Sequence, residues 1–193
     1  MIYLKNYYKI QNEVDSYDEV WAIVRSYKNP LPGVKHVPQL SPSWDLFKWF
    51  RQMNDEKLWK KSMFDDEYVP RFISEMNSHE PLVLLNELKK KSESGKNIAL
   101  ICFCYDESQC HRSVIGGILK GVGCEVSCEK ENNNYVKYFN MLKEMKQKGK
   151  TVPVPTFKPN DVTGKSNKSK YEKSPEDEPD DDDIEDDDDL PFK

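Results

Sequence analysis

The chain has 193 residues, 33% of them charged, and a mean hydropathy of −0.84; this excludes a protein built of apolar membrane spans and leaves room for one ordinary domain with appendages. Its net charge of −5 divides unevenly. Residues 174–193 hold twelve carboxylates against one Lys; with these set aside, residues 1–173 keep 22 acidic and 28 basic side chains, a net of +6.

Taken in chain order, Ile2-Tyr3-Leu4 with Tyr7-Tyr8 reads as a first short strand, and residues 19–25, β-branched and aromatic, as a clearer one that ends at Ser26. Pro30, Pro32 and Gly33 then impose a loop. Ser41 is placed to cap a helix with Pro42 in its first turn and Trp44, Leu46, Phe47 and Phe50 on its apolar side. The aromatics of this segment, with Trp49, have helical spacing and are assigned to the core rather than to base stacking. Phe64, Tyr68, Phe72 and Met76 recur at fours and predict a helix over about residues 66–76, interrupted near its start by Pro70. Leu82, Leu85 and Leu88 mark a third helix that ends in a Lys run and Gly95. Residues 98–104 are a buried strand, a helix follows from Cys110, and residues 125–128 form a short strand, which together describe a parallel βαβ crossover. Asn132 to Asn134 cap a last helix carrying Tyr135, Tyr138, Phe139, Leu142 and Met145 and closing at Gly149.

The expected fold is α/β: a small, mostly parallel sheet flanked by helices over residues 1–150. A basic linker rich in Pro, Ser and Lys (151–173) and an acidic tail (174–193) follow, both disordered by composition. Five cysteines, an odd number, with no apolar stretch after Met1, indicate thiols in a reduced, cytoplasmic setting and no membrane association.

The junction between the strand ending Cys102-Phe103-Cys104 and the helix opening Cys110-His111-Arg112-Ser113 is the candidate site. Crevices beyond the carboxyl ends of strands bind ligands in open α/β sheets, and a thiol beside a guanidinium at a helix N-terminus tends toward thiolate. The spacing of a tyrosine-phosphatase loop is not met, because Arg112 lies eight residues after Cys104 rather than six. Zinc would draw on Cys102, Cys104, Cys110 and His111, but neighbours such as Cys110 and His111 do not easily meet one tetrahedral ion, so no metal and no cofactor is assigned. The plainer alternative makes Cys102 and Cys104 small core residues and packs Cys110 under the loop, with His111 and Arg112 as capping or ion-pairing groups. It keeps Cys124 and Cys128 out of any chemistry and leaves His36 and His79 as surface or loop residues. Arg25, at the end of its strand, falls on the same rim as the junction.

Leu100-Ile101-Cys102-Phe103-Cys104 followed by Cys110-His111-Arg112-Ser113 resembles the hallmark of the Domain of Unknown Function 488 family, and the segment from Leu40 to Phe50 resembles the "L-A/S-P-S-x-x-L-x-x-W-F" stretch of one branch of it. The strand from Val20 to Arg25 is similar to its opening element, so the resemblance spans about residues 3–123. It implies a small α/β domain without an activity assigned at family level. Matching positions make Cys104, Cys110, His111 and Arg112 the candidate catalytic residues and Arg25, Ser43 and Ser113 the candidate ligand-binding ones. Two uses remain open, a cysteine-dependent enzyme and a binding module for a phosphate-bearing or nucleotide-like ligand. The basic body also suits direct contact with nucleic acid.

The ending Asp188-Asp189-Leu190-Pro191-Phe192 resembles the acidic tip of bacterial single-stranded DNA-binding proteins, which implies docking on replication or repair proteins. Lys193 follows the Phe, a departure that shifts the terminal carboxylate. A plain solvated acidic segment has the same composition. Lys- and Asn-rich usage with such a tail suits a bacterial virus or a low-GC bacterium.

Overall fold

In the computed structural model, which describes residues 1–128 and 136–149, five strands form one sheet: β1 (Ile2–Asn6), β2 (Glu19–Ala22), β3 (Val34–His36), β4 (Ile98–Cys102) and β5 (Val126–Ser127). Their order is β3-β2-β4-β1-β5, and every pairing is parallel. The central strand β4 is buried at all five positions, Ile98-Ala99-Leu100-Ile101-Cys102. A strand covered on both faces needs such a continuous apolar run rather than an alternating one.

Six helices accompany the sheet: α1 (Tyr7–Ile10), α2 (Trp44–Asp55), α3 (Val69–Met76), α4 (His79–Glu93), α5 (His111–Gly121) and α6 (Val136–Lys148). On one face Ile2, Leu4, Trp21, Ile23, Ile98 and Leu100 pack against α2 to α6. The other face is thinner. There Val20, Ala22, Ala99 and Ile101 lie under Tyr7 and Ile10 of α1 and under Tyr3, Tyr17 and Tyr27. Each fully buried aliphatic side chain of these two clusters contributes about 1.5–3 kcal/mol. No helix among the described residues is long and apolar enough to cross a membrane.

Several local readings change. Tyr7 and Tyr8 do not prolong the first strand, because the Asn6 side chain accepts a hydrogen bond from the Tyr8 amide and caps α1 there. Helix α2 is capped by Ser43 and not by Ser41; Ser43 Oγ accepts from the Leu46 amide, while Ser41 Oγ donates to the Pro38 carbonyl and closes the preceding 3-10 turn. The repeat beginning at Phe64 starts as a π-helical turn, Phe64–Tyr68, that runs into α3 with Pro70 in its first turn. Strand β4 stops at Cys102, so Cys104 belongs to the loop. β3 was not anticipated at all. Helix α4 ends as expected, with Gly95 at a φ of +85° that only glycine adopts without strain. The expected cap at Asn132 to Asn134, Tyr135, the linker and the acidic tail lie outside the described residues.

Candidate functional site at the carboxyl end of the sheet

The strand ends β2, β4 and β1 converge on the N-terminus of α5. Cys110 caps that helix, its sulfur accepting from the Arg112 amide at 3.4 Å and its carbonyl accepting from Ser113 Oγ at 2.7 Å. His111 is buried, and its Nε2 donates to the Ile23 carbonyl at 2.6 Å just beyond β2. With Nε2 so held, Nδ1 faces the sulfurs of Cys110 at 3.9 Å and Cys102 at 4.0 Å. The ring also meets Phe72 edge-on, with centroids 5.6 Å apart, which fixes its plane. Cys102 Sγ lies 3.5 Å from Cys104 Sγ, and Cys104 is the half-exposed member of the cluster.

Arg112 departs from the sequence expectation of a donor displayed on the rim. Its side chain is fully buried, with Nη1 donating to the Lys5 carbonyl at 2.8 Å and to the Cys102 carbonyl at 3.2 Å, so that it ties the ends of β1 and β4 together. Among the described residues the Nε and Nη2 groups have no hydrogen-bond partner. The orientation follows from α5 being buried nearly all round: every residue from His111 to Leu119 is inside. Ser113 is likewise buried on the Cys110 carbonyl and presents no hydroxyl to a ligand.

These contacts govern protonation. The S–H groups of Cys104 and then Cys110, followed by the charge of His111, hold the Cys102 thiol well below its ordinary range against the opposing effect of burial. Cys104 is pushed well above that range by the same interaction with Cys102, then by Cys110 and by burial. Burial alone would lower His111, but the charges of Cys102 and Cys110 outweigh it and raise the imidazole well above its usual value. Arg112 is raised in the same way, burial being overcome by Cys110, Cys102 and Cys104. The cluster therefore stabilises one thiolate centred on Cys102 between an imidazolium and a guanidinium.

Arg25 and Ser43 occupy a different part of the rim, in a cleft of about 480 Å³ that they share with Gln39, Glu75, His79 and Glu80. Arg25 Nε donates to the Pro42 carbonyl at 2.7 Å and Nη2 to the Ser41 carbonyl at 3.0 Å. Glu75 accepts from the Ser43 amide at 2.9 Å and from the Ser43 hydroxyl; burial raises its pKa despite those bonds. The cysteines do not border this cleft. Buried Tyr68 relates the two halves electrically: burial first, then Cys110, Cys104 and Glu75, raise its phenol well above the usual value.

Three residues of the site were not singled out from the sequence. Tyr68 stood as part of an apolar helical repeat, and Glu75 fell within the same predicted helix without a role. Asn6 is buried at the end of β1 and donates to the carbonyls of Phe103 and Cys104 at 3.2 and 3.1 Å, which pins the loop carrying Cys104. An Asn at a strand end directly before Tyr7-Tyr8 is the one signal that could have found it. His36 and His79 are exposed, as expected of surface residues, and Cys124 and Cys128 lie outside the cluster in or against the main core. Trp49 and Phe50 are core residues, while Trp44 and Phe47 are half-buried and meet edge to face.

Among the described residues, Cys102, Cys110 and His111 form the group able to converge on a metal ion, with donor atoms all within 4.8 Å of one another. The donor atoms of adjacent Cys110 and His111 lie 3.9 Å apart within that group. Two thiols and an Nδ1 imidazole whose other nitrogen is held by a carbonyl suit a soft d10 ion.

A parallel α/β sheet with a thiol, imidazole and guanidinium cluster at its carboxyl edge defines the class of this protein. The family model described as the Active DUF488-N3 subclade matches residues 5–123, more than half of the chain, and the chain belongs to the DUF488 family. No curated protein and no solved structure matches it.

Proposed function

We propose that the chain is a cysteine-dependent enzyme that acts on a phosphate-bearing or nucleotide-like ligand at the Cys-His-Arg cluster. The observation that carries this reading is the His111 geometry: Nε2 is committed to the Ile23 carbonyl, so the titrating proton sits on Nδ1, opposite two sulfurs. A purely structural cluster has no need of a fixed tautomer aimed at thiols. Half-exposed Cys104 is the sulfur that a ligand meets. Its proton passes to the Cys102 thiolate 3.5 Å away as its electron pair bonds to the electrophilic centre, and the leaving group departs with the pair of the broken bond. Arg112 and His111 hold the negative charge on Cys102 before the transfer. Arg25, half-buried in the neighbouring cleft, supplies a cation for the anionic part of the ligand. The family description's word "Active" agrees with an enzymatic reading.

Alkylation with iodoacetamide across pH 5–10, mapped by mass spectrometry, tests this. The expected result is fast labelling of the Cys102–Cys104 pair already below the range of a free thiol, about pH 8.5, slowed at least tenfold by His111→Ala. Uniform labelling of all cysteines at the free-thiol rate would overturn the reading.

A second reading concerns where the enzyme works, and its support is the ending Asp186-Asp187-Asp188-Asp189-Leu190-Pro191-Phe192. The tail is proposed to address the domain to replication or repair proteins in the cytoplasm, with Phe192 as an apolar anchor and the aspartates steering the encounter. Removal of residues 190–193 then abolishes recovery of such proteins on the immobilised chain, and unchanged recovery would contradict it.

A further inference from the structure

Beside Cys104 the thinner face of the sheet ends in a ladder of aromatic rings. Tyr7 packs on Phe103 at 4.7 Å between centroids, Tyr8 approaches Phe103 at 6.1 Å, and Tyr105 stacks on Tyr8 at 5.5 Å with only 8° between their planes. The inner contacts are tilted or edge-on, with Tyr7 meeting Phe103 at 59°, Tyr8 meeting Phe103 at 51° and Tyr7 meeting Tyr27 at 89°. The outer pair alone lies flat. It is also open to solvent, Tyr8 being 39% and Tyr105 48% exposed, and these are two of the five exposed large apolar side chains among the described residues.

Packing does not demand this arrangement. A buried ladder gains from excluding water, whereas Tyr8 and Tyr105 leave much of their ring area wet while holding parallel planes. The ladder is also anchored: Asn6 fixes the carbonyls of Phe103 and Cys104, and Tyr7 Oη donates to the Asn29 carbonyl at 2.9 Å. The neighbouring acid is engaged elsewhere, since the Asp106 carboxylate accepts from the Ser108 amide and hydroxyl at 3.0 and 2.7 Å. Lys9 follows Tyr8, and Lys28 follows Tyr27.

We infer that the Tyr8–Tyr105 pair is a stacking platform for an unpaired base of a single-stranded nucleic acid, seated next to Cys104. The inference rests on the reading of the Cys-His-Arg cluster as an active site and names its substrate class. A flat, exposed tyrosine pair suits the π-face that every base carries, and stacking of this kind is sequence-tolerant. The net +6 of residues 1–173 complements the strand's phosphates, which favours a polynucleotide over an isolated nucleotide. A duplex does not fit, because its bases are already stacked.

The test is fluorescence anisotropy of a labelled twelve-nucleotide single strand with the full chain at 50 mM salt, against the matching duplex and against nucleoside monophosphates as competitors. The account expects single strand to bind at least tenfold tighter than duplex. Tyr105→Ala and Tyr8→Ala each weaken it about tenfold, while Tyr105→Phe stays within twofold. Equal affinity of the Ala variants and the parent, equal affinity for duplex, or binding of monophosphates alone would overturn it. Iodoacetamide labelling of the Cys102–Cys104 pair in Tyr105→Ala reports separately on the thiolate reading, so the two fail in different assays.

Discussion

At the scale of single residues the site turns on an arginine that faces inward. Arg112 binds two strand-end carbonyls through Nη1, and among the described residues Nε and Nη2 have no hydrogen-bond partner; its charge is balanced first by the sulfurs of Cys110, Cys102 and Cys104 and then by Glu107. Removing one partner of a buried charge pair costs about 3–5 kcal/mol. Arg112→Met keeps the volume and removes the charge; it is expected to lower stability by about that amount in urea denaturation, and a loss under 1 kcal/mol would show the guanidinium to be dispensable. The motif Cys110-His111-Arg112 marked the place correctly, yet nothing in its spacing told which of its side chains turn inward. That depends on the helical register of α5, whose residues from His111 to Leu119 are all buried. The approach of Cys102 to His111 at 4.0 Å was equally hidden, since it arises where the end of β4 meets the start of α5 across the intervening loop.

Between elements, short polar contacts set the geometry that hydrophobic burial leaves loose. Ser43 caps α2 with its hydroxyl and places its amide on Glu75 of α3, joining two helices that border the cleft. Ser43→Ala is expected to cost about 1 kcal/mol by losing the cap, readable as a lower thermal midpoint; an unchanged midpoint would show the cap to be idle. The sequence offered Ser41 and Ser43 on either side of Pro42 with similar merit, and the choice was made by the 3-10 turn that engages Ser41. β3 left no periodic signal, being three residues long with two of them exposed behind a Pro-rich loop. The opposite end of the sheet is held by Glu19 of β2. Burial would raise its carboxyl, but hydrogen bonds from Lys91, Lys96 and Trp21 outweigh it and lower the pKa from 4.5 to about 2. A carboxylate depressed on folding stabilises above its unfolded value and loses that contribution as pH falls toward the folded one. After discounting for solvent screening, Glu19→Gln costs about 1 kcal/mol at pH 7. The difference from the parent shrinks between pH 4.5 and 2, and a difference that stays constant across that window would contradict the ion-pair account.

For the molecule as a whole, the apolar run of β4 made the parallel sheet legible, and the two DUF488-like segments made the family legible, because both signals are local in sequence. The strand order, the two-sided core and the separation of the Arg25 cleft from the thiols are long-range outcomes of packing and were not. The central claim is that the sheet's carboxyl edge stabilises a thiolate through His111 and Arg112. Cys102 is depressed, so its ionised form persists on acidification until its lowered pKa is reached; His111 is raised, so its positive charge persists on alkalinisation until its raised pKa is reached. Thiolate absorbance near 240 nm, followed from pH 4 to 10 in the native protein and in Cys102→Ser, measures this directly. The account predicts one thiolate equivalent already present below the free-thiol range and its absence in Cys102→Ser; titration of every thiol near pH 8.5, the same in both proteins, would contradict it.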